Sequence, residues 1–155
     1  MPSTIPYKRA RFKTGLPVDR LYSQAHYWLA EDGPGSCRVG LTKFATRMLG
    51  DFVELTFDVA VGDRVELGQA IGSIEGFKAV SEVYCVAAGR FAGGNAALEA
   101  EPTLLERQPY AAGWLYRLED CQPNGLIDVH GYIDLLNATI DRMLEQQQLQ
   151  KDKSC

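Results

Sequence analysis

The sequence lacks the features of several common classes of protein. It has no excess of basic residues, because 16 Lys and Arg face 20 Asp and Glu, which gives a net charge of −4 and a pI near 5.2. A nucleic-acid-binding domain normally carries a basic face, so we expect no nucleic-acid partner. No apolar run approaches the ~20 residues of a membrane-spanning helix, and residues 1–20 contain no hydrophobic stretch of the kind found in secretory signals. We therefore expect a cytoplasmic protein that has no membrane partner.

Clusters of metal ligands are missing as well. The four cysteines form no C-x-x-C pair, and the two histidines complete no zinc-binding spacing. We predict that the chain holds no metal and that its cysteines are free thiols that act as small buried apolar residues. These cysteines are Cys37, Cys85, Cys121 and Cys155.

What the sequence does contain is a series of short β-like segments separated by glycine turns. Its 155 residues suit one domain, and the pattern favours a mainly β fold, a sandwich or flattened barrel with small helices at its ends. We place this β domain at residues 21–120. Polar and apolar residues alternate over residues 51–57, so Val53, Leu55 and Phe57 are expected to face the core.

The two ends of the chain differ from the middle in charge and periodicity. Residues 1–20 carry a basic run and predict a solvated, partly ordered arm, with a transit peptide or a docking patch as alternatives. In residues 121–155, apolar residues recur at helical spacing from Tyr132 to about Gln148. We predict a helix that packs on the domain, with partner binding as the alternative. The apolar positions are Ile133, Leu136, Ile140, Met143 and Leu144.

One lysine stands at the centre of the most informative stretch. Strand-like segments lie on both sides of residues 75–78, a loop of hairpin length in which Gly76 is available for an unusual backbone angle. Lys78 at the tip of such a hairpin projects its amine into solvent, where an enzyme could modify it. Taken alone, Lys78 would be an ordinary exposed turn lysine.

The residues around Lys78 favour modification. The pattern Val61-Gly62-Asp63-x-Val65-x-x-Gly68-Gln69, followed by Ile74-Glu75-x-x-Lys78-Ala79, resembles the modified-lysine region of lipoyl and biotinyl carrier domains. A biotinyl site would usually have Met on both sides of the lysine, whereas Phe77 and Ala79 flank it here. The resemblance therefore favours lipoate.

Further motifs occur in order on both sides of the lysine, and together they are far more specific than a short motif alone. The chain resembles the H-protein family, the lipoyl carriers of the glycine cleavage system and their paralogues, from about Leu21 to Glu119. The motifs are His26-Tyr27-Trp28, Glu31-Asp32-Gly33, Val39-Gly40-Leu41-Thr42, Leu49-Gly50-Asp51, Gly94-Asn95-Ala96-Ala97-Leu98 and Pro109-Tyr110-Ala111-Ala112-Gly113-Trp114-Leu115.

This resemblance implies a lipoyl-type barrel-sandwich hybrid, in which two similar β halves pack face to face and the lysine hairpin closes one end. It implies lipoate in amide linkage to Lys78, with Glu75, Gly76, Phe77 and Ala79 as the lipoylation motif. The protein would then be a monomeric carrier without catalytic residues, because the cofactor does the chemistry. Its partners would include a lipoate ligase or lipoyl transferase and dihydrolipoamide dehydrogenase.

Three further residues occupy family-like positions, and each has a simpler structural interpretation. Glu75 is either a recognition residue for the lipoylating enzyme or an ordinary turn carboxylate. His26 either lines the groove in which the loaded arm rests or is a hydrogen-bonded strand histidine. Asn95 either belongs to the same groove or caps a helix.

The chain also departs from the glycine cleavage carriers. Tyr27 replaces their Glu, Gly76 and Phe77 replace Ser and Val, Cys85 follows the hairpin, and the C-terminal helix is an addition. These departures resemble the lipoate-binding H-like proteins of the sulfur-oxidising heterodisulfide-reductase-like system. We therefore expect a sulfur carrier that serves a heterodisulfide-reductase-like complex. Cys85 would be a thiol near the arm or a small core residue.

Two other functions remain open at this point. The first is a glycine cleavage H protein that carries an aminomethyl group between glycine decarboxylase and aminomethyltransferase. The second is an unlipoylated regulatory or interaction module, which the intact Glu75-x-x-Lys78-Ala79 pattern disfavours.

Overall fold

A computed structural model of the chain describes residues 3–153. Eleven strands and four helices lie within that range, and every strand pairing among them is antiparallel. In chain order the elements are β1 Thr4–Arg9, β2 Phe12–Pro17, β3 Leu21–Tyr22, β4 Tyr27–Glu31, β5 Cys37–Leu41, α1 Lys43–Leu49, β6 Phe52–Phe57, β7 Arg64–Val65, β8 Ala70–Gly76, β9 Val80–Tyr84, β10 Ala88–Gly94, α2 Ala97–Ala100, α3 Leu104–Arg107, β11 Tyr116–Gln122 and α4 Val129–Lys153.

The strands form three sheets. A six-stranded sheet has the order β3-β4-β5-β11-β10-β7, a three-stranded sheet has the order β6-β8-β9, and β1 pairs with β2 alone. The main hydrophobic core takes residues from both larger sheets, such as Val39 and Leu118 from the first and Ile71 and Val83 from the second. The mainly β, lipoyl-type sandwich is therefore confirmed, and its two larger sheets face each other without closing into a ring.

The strands β1 and β2 form a packed hairpin, so the expectation of a solvated arm is wrong for residues 3–20, and residues 1 and 2 lie outside the described residues. Tyr7 and Leu16 of this hairpin are buried in a second hydrophobic cluster together with Tyr132 and Leu136 of α4. Lys8, Arg11 and Lys13 are exposed, whereas Arg9 lies on the face of β1 that carries Tyr7. Most of the basic run therefore lies on the solvent side of the hairpin, because successive side chains of a strand point to opposite faces.

Hydrogen bonds tie this hairpin to the other end of the chain. The Tyr7 hydroxyl donates to Asn137 Oδ1 at 2.8 Å, and the Arg9 guanidinium makes two bonds of 2.8 and 2.7 Å to the Asp141 carboxylate. The two chain ends therefore form one unit on the side of the six-stranded sheet that carries Tyr22 and Trp28.

The helix α4 packs on its own domain, as its apolar stripe predicts, but it begins earlier and ends later than the stripe indicates. Tyr132, Leu136 and Ile140 are buried, whereas Leu144 is 44% exposed. The last turns lie beyond the edge of the domain, since residues 144–152 are all exposed. No helix in residues 3–153 is long and apolar enough to span a membrane.

The strand β6 departs from the expected alternation at its first residues. Val53 is 44% exposed, whereas Phe52, Leu55 and Phe57 pack against the core. The pairing of β6 with β8 shifts register between Phe52 and Glu54. Such an irregularity moves the following side chains to the opposite face, so the prediction that Val53 faces the core is wrong.

Candidate functional site

The β8–β9 hairpin presents Lys78 at its tip. Glu75 pairs with Val80, and the Gly76 amide donates to the Ala79 carbonyl at 2.9 Å, which leaves Phe77 and Lys78 as the turn. The Lys78 side chain is exposed, and Phe77 beside it is 79% exposed. The hairpin therefore offers the lysine amine to an approaching enzyme, as its sequence pattern predicts.

The segment between α1 and β6 holds this tip in place. The Lys78 amide donates to the Leu49 carbonyl at 3.0 Å, and the Phe77 amide donates to the Asp51 carbonyl at 3.0 Å. Gly50 between them has φ +80, and a Cβ there would lie 2.8 Å from Lys78 Cγ. Thr42 and Gly50 cap the two ends of α1, with Thr42 Oγ1 accepting from the Ala45 amide.

Gly76 serves close packing, and the expectation of an unusual backbone angle there is wrong. It is absent from the described glycines with positive φ, and it lies within β8. A Cβ at this position would lie 2.3 Å from the Leu49 carbonyl oxygen. The missing side chain therefore lets the hairpin approach the end of α1.

Two grooves flank the tip, one on each side of α1. We call the first the polar groove, and its volume is about 330 Å³. We call the second the apolar groove, and its volume is about 200 Å³. The polar groove is lined by Lys43, Thr46, Arg47, Gly50, Asp51, Phe77, Lys78 and Glu106. The apolar groove is lined by Ala25, His26, Tyr27, Leu41, Phe44, Ala45, Met48, Leu49, Ile74, Ala79 and Ser81.

The Lys78 amine itself is nearly free. Its Nζ donates to the Arg47 carbonyl at 3.4 Å, which is a long bond, and it takes part in none of the salt bridges within the described chain. The nearby Glu106 carboxylate accepts instead from the Phe52 amide at 2.7 Å. An amide bond to Nζ would therefore remove no ion pair.

The structure places His26 in the apolar groove and also gives it a structural partner. Its Nδ1 shares a hydrogen bond of 2.8 Å with the Tyr132 hydroxyl, and its ring lies 4.7 Å from that of Phe44. Burial lowers the pKa of His26 to about 4, so the imidazole is neutral near pH 7. His26 is therefore hydrogen-bonded, although it lies one residue before β4 and has φ +70. Its role towards a loaded arm stays a prediction.

Sequence reasoning missed Tyr132. Its hydroxyl bonds to His26 and also to Thr42 Oγ1 at 2.7 Å, which connects α4 to the groove wall and to the cap of α1. The signal was present, because Tyr132 lies four residues before Leu136 on the apolar stripe of α4.

Asn95 lies away from the lysine, and its side chain bonds to backbone groups at the start of α2 and before β11. Its Nδ2 donates to the carbonyls of Ala112 and Trp114 at 2.7 and 2.9 Å, and its Oδ1 accepts from the Ala97 amide at 3.1 Å. It lines a separate depression, between β6 and α2, whose lining does not include Lys78. The structure therefore does not bring Asn95 together with His26.

Cys85 does not stand beside the lysine either. It follows β9 at the end remote from the turn, about 20 Å along the strand from Lys78. The thiol is buried, burial raises its pKa, and its Sγ donates to the Ala87 carbonyl at 3.1 Å. The structure thus corrects the expectation of a thiol near the arm and assigns Cys85 to the core.

The other cysteines and the acidic residue of the motif have simple environments. Cys37 and Cys85 are buried free thiols and Cys121 is a half-buried one, whereas Cys155 lies outside the described residues. No cluster of three metal-ligating side chains occurs in residues 3–153.

Glu75 is exposed on the outer face of β8, where an enzyme could contact it.

Comparison with known proteins agrees with this geometry. The family model described as glycine cleavage H-protein matches residues 20–136. A glycine cleavage system H protein of Micrococcus luteus is 39% identical over 123 residues, which cover 77% of this chain and 95% of that protein. One from Listeria monocytogenes is 44% identical over 109 residues, covering 69% of this chain and 84% of that protein.

A solved structure shows the same fold. The crystal structure of a glycine cleavage system H protein from Mycobacterium marinum superposes with a TM-score of 0.70 at 31% identity, and it covers 79% of this chain and 99% of that one. The family match includes the first eight residues of α4, so the interpretation of this helix as wholly an addition is wrong. Because most of its length is matched in these ways, the chain belongs to the glycine cleavage H-protein family.

Proposed function

We propose that this chain is the lipoyl carrier of a glycine cleavage system and that lipoate is attached to Lys78 through an amide bond. The single observation that supports this most is the exposed lysine at a hairpin tip that backbone hydrogen bonds hold against residues 49–51. This lysine lies inside the range that the family model matches. The protein then acts as a substrate of its partner enzymes and has no catalytic residue of its own.

The residues present suit such a group. Acylation removes the positive charge of Nζ, and Lys78 forms no salt bridge in the described chain that this would break. A bound lipoyl group would supply a dithiol that opens and closes reversibly, which a lysine amine alone cannot do. Beside the lysine, the apolar groove offers Phe44 and Met48 as surface for an apolar ring.

The surrounding residues keep the lysine in a defined place and the groove uncharged. The bonds from Phe77 and Lys78 to the α1–β6 connection fix the origin of the side chain. His26 is neutral near pH 7, because burial lowers its pKa to about 4. A neutral imidazole adds no charge to the groove wall and leaves it suited to apolar contents.

The proposed partners are glycine decarboxylase, aminomethyltransferase, dihydrolipoamide dehydrogenase and a lipoate ligase or lipoyl transferase. Exposed apolar side chains surround the lysine, including Phe77 at 79% and Val80 at 71% exposure. Such side chains are typical contact residues of protein interfaces. The monomeric state and the cytoplasmic location stay predictions.

The comparisons favour the glycine cleavage carrier over the sulfur carrier that the sequence analysis preferred. The relatives named above are all called glycine cleavage H proteins, and nothing among them supports the sulfur carrier or its heterodisulfide-reductase-like partner. Two of the departures that suggested sulfur have structural explanations. Tyr27 is buried and its hydroxyl accepts from the Tyr84 amide at 3.1 Å, and Cys85 belongs to the core.

The proposal can be tested on protein from a host that lipoylates H proteins. Intact mass should show one lipoyl adduct, and Lys78→Arg should abolish it, because arginine offers no acylable primary amine. Lys8→Arg, at an exposed position of β1, is the matched control and should retain the adduct. An adduct on Lys78→Arg would contradict the assignment of the site.

The function is tested by reconstitution with the other three glycine cleavage proteins. Lipoylated wild-type protein should support glycine decarboxylation and exchange, and the Lys78→Arg variant should not. A lipoylated sample that fails in this assay and gains sulfur mass from a persulfide donor would favour the sulfur carrier instead. Protein that never acquires an adduct would favour the unlipoylated module.

A further inference from the structure

Two cysteines that the carrier function does not use lie side by side within the six-stranded sheet. Cys37 Sγ and Cys121 Sγ are 2.6 Å apart, so the two thiols are in direct contact. Cys37 begins β5, whereas Leu41 at the other end of β5 lines the apolar groove. The pair is therefore remote from the groove end of that strand.

A bulge in β11 brings Cys121 to this position. Ala88 pairs with Gln122 and Arg90 pairs with Glu119, so the two residues Asp120 and Cys121 of β11 oppose the single residue 89 of β10. Asp120 has φ +51, a left-handed conformation that Asp tolerates better than most residues. This arrangement is a β-bulge with one extra residue.

The extra residue changes the face to which Cys121 belongs. Leu118 pairs with Cys37 and faces the core. Residue 121 lies three positions after Leu118, so in a regular strand its side chain would point to the opposite face. With the bulge, Cys121 packs against the core that contains Cys37. Gly89 permits this, because a Cβ there would lie 2.7 Å from the Glu119 carbonyl oxygen.

The two thiols differ in exposure and in acidity. Cys37 is buried and Cys121 is half-buried, so an external reagent reaches Cys121 first. The hydrogen bond from Cys37 lowers the pKa of Cys121, whereas the hydrogen bond to Cys121 and burial raise the pKa of Cys37. In this arrangement Cys121 is suited to be the attacking thiol and Cys37 the resolving thiol.

We propose that Cys37 and Cys121 form a reversible intramolecular disulfide when the protein meets a small aliphatic disulfide such as oxidised glutathione. The Cys121 thiolate attacks one sulfur of the small disulfide, whose S–S bond breaks and releases one thiol. Cys37 then loses its proton and attacks Cys121 Sγ, which releases the second thiol. The small disulfide gains two electrons and two protons, and the cysteine pair loses them.

Cys85 provides an internal comparison. It is as buried as Cys37, but its Sγ donates to the Ala87 carbonyl at 3.1 Å and bonds to no other sulfur among the described residues. Burial also raises its pKa. A cysteine in this setting should resist the same oxidant, so the reaction should select Cys37 and Cys121 over Cys85.

The test uses full-length protein with Lys78→Arg, so that the only thiols are those of the four cysteines. It is equilibrated with oxidised and reduced glutathione, quenched in acid, denatured and alkylated with N-ethylmaleimide. Intact mass should lose the two alkylations of this pair, and peptide mapping should recover a Cys37–Cys121 cross-link with Cys85 still alkylated. Dithiothreitol should restore both alkylations. The thermal midpoint of the oxidised form should rise by on the order of 10 °C, because the bond restricts the unfolded chain.

Variants separate the pair from the other thiols. Cys121→Ser and Cys37→Ser should each lose the intramolecular bond, and Cys85→Ala should keep it. The inference is overturned if four alkylations survive the oxidant, if the cross-link joins other cysteines, or if Cys121 stops at a mixed disulfide with glutathione. The mapping of the four-cysteine protein decides these outcomes even where a variant fails to fold.

Discussion

The β1–β2 hairpin and the β8–β9 hairpin are similar in length, but different groups hold each of them. Tyr7 and Leu16 fix the first by burial against α4. The turn of the second is fixed by backbone bonds to residues 49–51 and by the absence of a side chain at Gly76, while Phe77 and Lys78 stay in solvent.

The proposed function gives a reason for this difference. A hairpin that completes a core can use its side chains for packing, because nothing else needs them. A hairpin that offers a lysine to several enzymes must keep the side chains of its turn accessible, so its position has to come from the backbone. Loss of a buried side chain should therefore affect stability in the first hairpin, whereas replacement of an exposed turn side chain in the second should affect modification and leave stability nearly unchanged.

The largest effect on stability is expected for Leu16→Ala in the β1–β2 hairpin. Leu16 is fully buried, and removal of such a side chain typically lowers the free energy of unfolding by about 2–5 kcal/mol. Urea denaturation of the wild type and the variant measures this. A loss below about 0.5 kcal/mol, the usual range of surface changes, would support the interpretation of this segment as a solvated arm. The lipoyl adduct at Lys78 should be unaffected.

The next effect is expected for Gly76→Ala in the β8–β9 hairpin. The new Cβ would lie 2.3 Å from the Leu49 carbonyl oxygen, so the hairpin must move away from α1, at a loss of about 2 kcal/mol. The displaced tip should also accept less lipoate, which intact mass measures.

Gly15→Ala in β2 is the matched control for this substitution. Its Cβ would meet only the Thr4 side chain, at 3.4 Å or more, so stability and lipoylation should both stay near those of the wild type. Equal losses in the two variants would mean that close backbone approach is not special to the lysine hairpin.

The two hairpins also show what sequence can and cannot predict. The lysine hairpin was predictable because its signals are local: strand-forming residues, a glycine and a lysine lie within one short stretch. The partners of Tyr7 and Arg9 are Asn137 and Asp141, about 130 residues away, and no local pattern reports such contacts. For that reason the basic run was interpreted as a solvated arm, although it lies in a β-hairpin.

Within the site, the same limit applied to individual residues. The exposure of Lys78 and the cap at Thr42 follow from neighbouring residues. Position 76 requires a glycine because it packs closely against Leu49. The exposure of Val53 depends on a bulge in the pairing of β6 with β8. Both depend on how distant elements pack together in the folded chain.

A smaller effect is expected from the titration of His26. Its pKa falls to about 4 in the folded protein because of burial, against a usual value near 6.5. Between these values the unfolded chain binds a proton that the folded protein does not, so stability decreases as the pH falls from 6.5 towards 4. The loss from this group should be on the order of 1–2 kcal/mol, allowing for partial exposure.

The contribution of His26 is isolated by comparing variants. Urea denaturation at pH 7 and pH 4.5 should show a smaller pH-dependent loss in His26→Gln than in the wild type. His130→Gln, at an exposed position of α4, should behave as the wild type. Identical pH dependence in all three proteins would mean that His26 is not buried as described.

The smallest effect on stability is expected for Lys78→Arg, although it removes the proposed site of modification. The side chain is exposed, makes one long hydrogen bond through Nζ, and forms no salt bridge in the described chain. The free energy of unfolding of unlipoylated protein should therefore change by no more than about 0.5 kcal/mol. The backbone bonds from residues 77 and 78 to Asp51 and Leu49 survive the substitution, because they do not involve the side chain. A large drop in the urea midpoint would show that the lysine side chain, and not the backbone, holds the tip, and the contrast between the two hairpins would then fail.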